Sequence, residues 1–255
     1  MKNRVKEIDY LKCVFIVLMV IFHLVYVGDK YPYAKQVVYT FHMPVFLLIS
    51  GYLANMDKGA GDMLAKLKWL FIPYAVMEAG YVVSASVLPI REHIDNLTAA
   101  LFAEKLLLHT LGPYWYLHTL MVSYIIYYAA NRLRPRLGVV SFVCLLGLCF
   151  YMAARLLHVI EMGNAIYFLG GVLIRQAGLK FLQVFRPSLL AALPFALLCI
   201  VSPGEMHKDS LTGVAMVYFA VSVALGIYGL LHEKVKNAAC FIGSNTLAIL
   251  LFSPM

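Results

Sequence analysis

Charge is scarce in this chain. Only 13% of its 255 residues are Asp, Glu, Lys or Arg, and only 13 residues are acidic. Soluble domains carry about 25% charged residues. A water-soluble fold would need polar groups over its whole surface, and the supply here excludes one. The five cysteines, Cys13, Cys144, Cys149, Cys199 and Cys240, fall in or beside apolar runs and form no C-x-x-C pair. That pattern gives neither a disulfide framework nor a zinc site. The sequence also lacks an internal repeat, a low-complexity tract and any polar stretch long enough for a soluble domain. The net charge of +8 is spread in short clusters between apolar runs. It forms no basic face, which argues against a nucleic-acid partner.

What remains is apolar: hydrophobic residues make up 62% of the chain. A membrane span needs about 20 such residues. Nine candidates follow, at 10–27, 37–54, 67–89, 115–131, 138–154, 164–175, 188–203, 211–231 and 238–255. The predicted fold class is all-α, a polytopic integral membrane helical bundle of about nine transmembrane helices. A single membrane domain, 1–255, accounts for the whole chain. The first run carries Lys12 and His23 and has no small-residue cleavage site, so it reads as a retained span and not as a signal peptide.

The loops sort by charge. With the N-terminus in the cytoplasm, the inner segments hold 15 of the 21 Lys and Arg residues: Lys2, Arg4, Lys6 and Lys12, then Lys58, Lys66 and Lys68, then Arg132, Arg134 and Arg136, then Arg175, Lys180 and Arg186, then Lys234 and Lys236. The outer segments hold Lys30, Lys35, Arg91, Lys105, Arg155 and Lys208. This asymmetry predicts a cytoplasmic N-terminus. The longest outer segment, 90–114, reads either as an ordinary loop or as an interfacial helix carrying Leu97, Leu101 and Leu108 on one face.

Polar groups inside a membrane are costly and mark functional candidates. Lys12 and His23 are 11 residues apart, close to three helical turns, and therefore share a face over roughly 16 Å of axis. Ile16 and Met19 complete the stripe between them. Lys12 reads either as a snorkelling anchor or as a binding group, and His23 either as a histidine bonded to a neighbouring helix or as a base. His42 lies at the outer side of the second span, level with His23, beside Pro44, where a kink is expected. Glu78 sits mid-span, either orienting a histidine or joining an ion pair. Trp115 and Tyr116, with His118 beside them, form either an aromatic belt or a platform for sugar rings.

These residues carry a resemblance. Asp9-Tyr10-Leu11-Lys12, followed after ten residues by His23, resembles the opening signature of the membrane-bound acyltransferase 3 family. Phe41-His42-Met43-Pro44 with Ser50-Gly51-Tyr52-Leu53 is similar to that family's second-span motif. Trp115-Tyr116-Leu117, Phe168-Leu169-Gly170-Gly171 and Gly243-Ser244-Asn245-Thr246-Leu247 match later stretches.

The resemblance implies an O-acetyltransferase like the fucose 4-O-acetylase branch. Such an enzyme moves an acetyl group from cytoplasmic acyl-CoA to a hydroxyl of a cell-surface glycan or lipid-linked sugar. It implies His23 as the catalytic histidine and Lys12 as its basic partner. On that basis His23, His42 and Glu78 are the catalytic candidates. Lys12 and Asp9 are candidates for holding acetyl-CoA, and Trp115, Tyr116 and His118 for holding the acceptor. The donor is acetyl-CoA, no metal is expected, and the location is a bacterial cell membrane crossed many times, with membrane lipid as surroundings. Family members continue past the Gly243 motif, which implies a further C-terminal span or spans beyond Met255. The rival class is a transporter, in which buried His, Glu and Lys would form a proton or substrate pathway.

Overall fold

The computed structural model describes residues 5–253, apart from 58, 90 and 91. Lys2, Arg4, Lys58 and Arg91 of the charge clusters, and the last two residues of the ninth span, lie outside the described residues. Thirteen α-helices and no strand occur among those described. They are α1 (Lys6–His23), α2 (Val25–Gly28), α3 (Pro32–Leu53), α4 (Ala60–Val87), α5 (Ala99–Leu107), α6 (Trp115–Leu133), α7 (Val139–Arg155), α8 (Met162–Gln176), α9 (Phe181–Val184), α10 (Ala192–Val201), α11 (Leu211–Leu230), α12 (Glu233–Ser244) and α13 (Thr246–Phe252).

Each of the nine apolar stretches carries a helix. By length and composition α3, α4 and α11 can each cross a membrane, and α12 with α13 adds a fourth if taken as one bent span. The ninth apolar stretch holds α12 and α13, which meet at Asn245 with a bend of 60°. Apolar side chains on the outward surfaces, such as Val140, Ile200, Phe241 and Phe252, are exposed, as suits a lipid-facing surface.

The chain divides into two compact units, Met1–Leu53 with Ile166–Met255, and Ala54–Ala165. In the first unit α1 packs on α3, α11, α12 and α13. Its buried stripe, Leu11, Phe15, Ile16 and Met19, is the face that helical spacing dictates. Helices α3 and α8 cross closely. A Cβ built on Gly51 would collide with the carbonyl of Phe168, and one on Gly171 with the carbonyl of Leu48. Small residues at membrane helix crossings permit this backbone approach. Helix α3 runs unbroken through Pro44, whose missing N–H leaves the Thr40 carbonyl without its helical donor.

In the second unit α4 packs on α5 and α6, and α6 on α7. The segment 90–114 contains a helix. Thr98 caps α5 by accepting from the amide of Leu101 at 3.2 Å. Leu97 and Leu101 pack against Val82, Ala85 and Ile94, whereas Leu108 stays exposed.

Candidate active site

Helix α1 ends at His23 because Leu24 turns to extended backbone, φ −66° and ψ 122°. The chain then doubles back through α2 and enters α3 at Pro32, a residue preorganised for a first helical position. The return is tight. Any Cβ on Gly28 would strike the carbonyl of Phe22, so this turn admits only glycine without a shift. The doubling back sets the end of α1 against the second and third turns of α3.

Three rings meet there. The imidazoles of His23 and His42 lie 6.2 Å apart between centroids, at 73° to one another. Tyr39 stacks on His23 at 5.1 Å and 28°, and lies 5.2 Å from the His42 ring. Each histidine ties its Nδ1 to the carbonyl four residues upstream, His23 to Met19 at 2.7 Å and His42 to Val38 at 2.8 Å. A carbonyl can only accept, so Nδ1 carries the hydrogen in both rings and Nε2 holds the lone pair when the ring is neutral. His42 is buried and its Nε2 has no hydrogen-bond partner among the described residues. Tyr39 was not singled out from the sequence. Its position one turn before His42, on the same face of α3, was the available signal.

Lys12 sits toward the other end of α1. Its ammonium pairs with Asp9 Oδ1 at 2.7 Å, with Asp9 itself buried. The two candidate donor-holding residues are therefore bonded to each other, one turn apart. Ile16 and Met19, between Lys12 and His23, are fully packed.

Glu78, Trp115, Tyr116 and His118 belong to the second unit. Glu78 is fully buried. Its Oε1 accepts from the amides of Leu111 at 2.7 Å and Gly112 at 3.1 Å. Both donors are backbone amides, and among the described residues no histidine donates to Glu78. His118 donates from Nε2 to the carbonyl of Leu107 at 2.9 Å, and Tyr74 donates to that of Leu106 at 2.8 Å. Leu106 and Leu107 end α5, where carbonyls lack helical partners. Tyr74, Glu78 and His118 thus fasten the segment 106–112 at four backbone groups. Trp115 meets Tyr116 edge-on at 6.4 Å, and Tyr116 is buried.

A second fastening escaped the sequence reading. Tyr33, Gln36 and Thr40, along one face of α3, donate to the carbonyls of Cys199, Pro203 and Met206. These bonds lay the segment 199–206 along that helix. Polar side chains that bond distant backbone leave no periodic trace in sequence.

A bundle of apolar helices that gathers two histidines at a helix end is a polytopic membrane protein with a candidate acid–base site. The chain belongs to the acyltransferase 3 family: the family described as an acyltransferase domain matches residues 5–255. The nodulation protein NolL of Mesorhizobium japonicum is 29% identical over 144 residues, 49% of this chain and 35% of that protein. NolL of Sinorhizobium fredii is 30% identical over 141 residues, 49% of this chain and 36% of that protein. The chain thus spans about a third of the length of these curated relatives. No solved structure matches it significantly.

Proposed function

We propose that this protein is a membrane O-acetyltransferase. In this reading it takes an acetyl group from acetyl-CoA on the cytoplasmic side and gives it to a hydroxyl of a cell-surface glycan or lipid-linked sugar. It works in a bacterial cell membrane, with its N-terminus in the cytoplasm. The observation that carries the reading is the contact of His23, at the end of a helix (α1) whose first half bears Lys12, with His42 of α3. The family match supports the same chemistry.

His23 Nε2 takes the proton of the acceptor hydroxyl as the oxygen attacks the thioester carbonyl carbon. A tetrahedral oxyanion forms. It collapses with cleavage of the carbon–sulfur bond, and the acetyl group stays on the sugar oxygen. The thiolate of CoA leaves and takes up the proton that His23 gained, which returns the imidazole to its neutral form. Once His23 is an imidazolium, the nearest titratable ring is that of His42, 6.2 Å away between centroids, whose buried Nε2 has no partner among the described residues and offers a lone pair. His42 therefore acts as the acceptor that steadies that charge, directly or through one water. With its hydrogen on Nδ1, neutral His42 has no donor for the oxyanion.

Lys12 supplies a cation for a CoA phosphate, in exchange with Asp9. Trp115, Tyr116 and His118 are the acceptor-side candidates, and Glu78 serves by holding the 111–112 backbone beside them.

The test is acetyl-CoA binding and acetyl transfer by the purified protein in detergent. A ligand that binds the folded state raises its apparent melting temperature. The reading expects stabilisation by acetyl-CoA and loss of transfer in His23→Ala. A folded His23→Ala protein that acetylates a sugar acceptor at the parent rate ends it.

A further inference from the structure

The catalytic proposal needs His23 held in one orientation, and the residue's own surroundings on α1 do not supply that. His23 is the last residue of its helix, is only partly buried, and is followed by a break at Leu24. Its one side-chain hydrogen bond among the described residues, Nδ1 to the Met19 carbonyl, fixes the direction of one N–H and leaves the plane of the ring free to swing about it.

The missing constraint comes from α3. The Tyr39 ring lies nearly parallel to the imidazole, at 5.1 Å and 28°. A ring packed against the face of the imidazole restricts tilting of that face toward it. Tyr39 is itself held from three sides. Its hydroxyl donates to the carbonyl of Phe22 at 3.4 Å, joining α3 to the last turn of α1. The buried His42 ring rests against it at 5.2 Å. The ammonium of Lys35, one turn earlier, lies 5.8 Å from its centroid and is kept there by Asp29 at 3.2 Å.

We propose that Tyr39 is a positioning residue for His23: its ring face sets the plane of the imidazole and so aims Nε2 at the acceptor hydroxyl. This rests on the reading of His23 as the base. The ring carries the effect, and the hydroxyl takes no part in proton transfer because it donates to a backbone carbonyl. Loss of the ring then lowers the turnover number and leaves the Michaelis constant for acetyl-CoA near the parent value. A reacting group displaced by about 1 Å can cost on the order of a hundredfold in rate.

The experiment compares Tyr39→Phe, Tyr39→Leu and Tyr39→Met with His23→Ala in the full chain. Tyr39→Phe should retain most of the turnover. Tyr39→Leu and Tyr39→Met should lose about tenfold to a hundredfold in kcat with the donor KM little changed. Full activity in either aliphatic variant overturns the proposal, as does a loss in Tyr39→Phe as deep as theirs. An independent reading uses the parent protein with labelled histidine. The His23 ring protons, assigned by their disappearance in His23→Gln, should resonate upfield through shielding by the Tyr39 face. Unshifted His23 resonances overturn the inference even if the aliphatic variants fail to fold. If His23→Ala keeps parent activity, the base reading fails and takes this inference with it. If His23→Ala is inactive and Tyr39→Leu is not impaired, only the inference on Tyr39 fails.

Discussion

The rings of His23 and His42 meet edge-on with centroids 6.2 Å apart, and each is anchored through Nδ1 to the carbonyl of the residue four positions before it. Both rings consequently present Nε2 as the reactive atom. The two should fail differently. His23→Ala is expected to lower acetyl transfer by about 10²–10⁴-fold with acetyl-CoA binding retained, the usual worth of a general base. His42→Ala should cost less, because it removes the group that steadies the imidazolium and leaves the base in place. Single-turnover rates at saturating acetyl-CoA would show this order, and equal losses would contradict it.

The Lys12–Asp9 pair leads to a prediction about donor affinity. Asp9 neutralises Lys12 at 2.7 Å and competes with any CoA phosphate for the same ammonium. Lys12→Ala should weaken acetyl-CoA binding with kcat little changed, since a phosphate contact is made in ground and transition states alike. Lys12→Arg should keep most of the affinity. Asp9→Asn should tighten donor binding severalfold by removing the competing charge. Isothermal titration of the detergent-solubilised protein measures all three. Weaker binding in Asp9→Asn would mean that Asp9 holds Lys12 in place for the donor.

Glu78 is expected to be structural first. Its Oε1 satisfies the amides of Leu111 and Gly112 in a buried site. Glu78→Gln keeps that acceptor oxygen and should change stability by under about 1 kcal/mol. Glu78→Ala leaves two donors unsatisfied and should cost about 2–4 kcal/mol. Thermal unfolding with and without acetyl-CoA separates a fold defect from a binding defect. Near-parent stability of Glu78→Ala would show that water or another group takes over the clamp.

The crossing of α3 and α8 gives a prediction far from the chemistry. At Gly51 and Gly171 an added methyl would meet the opposing backbone, which cannot rotate away as a side chain can. Gly51→Ala should therefore destabilise the protein by about 1–3 kcal/mol. Gly147→Ala, where an added Cβ has open space, is the control. Equal melting temperatures for the two variants would place the crossing elsewhere.

Orientation rests on the charge asymmetry of the loops. Arg134 and Asp95 are both exposed and suit labelling with an impermeant thiol reagent in intact cells. In a background with the native cysteines replaced, a cysteine at 95 should label from outside and one at 134 only after permeabilisation. Labelling at 134 alone would reverse the topology.

Much of the candidate site was legible from the chain. The shared face of Lys12 and His23 follows from an 11-residue spacing, and the structure keeps both on α1 with Ile16 and Met19 packed between them. The level match of His23 with His42 followed from counting inward from each span's end. Tyr39 was missed because a tyrosine near a membrane boundary is ordinary, and no spacing rule reports which ring lies across a helix pair. Glu78 was read toward a histidine or a cation, because a buried carboxylate asks for a proton or a charge. Two convergent backbone amides meet that need at Oε1, while Oε2 has no hydrogen-bond partner among the described residues, and sequence displays neither.

Composition and order along the chain determined that this is an all-helical membrane protein, because so few charges cannot cover a soluble surface and so many apolar runs must be kept from water. They also set the helical face on which Lys12 and His23 lie, since a helix has one period whatever surrounds it. Tertiary structure alone decided what stands opposite His23 and Glu78, Tyr39 against the first and the Leu111 and Gly112 amides against the second, and it set the bend at Asn245. The physical reason is that periodicity is a property of one helix. A partner across an interface depends on how helices dock, and docking is settled by packing shape at places such as the Gly51–Gly171 crossing.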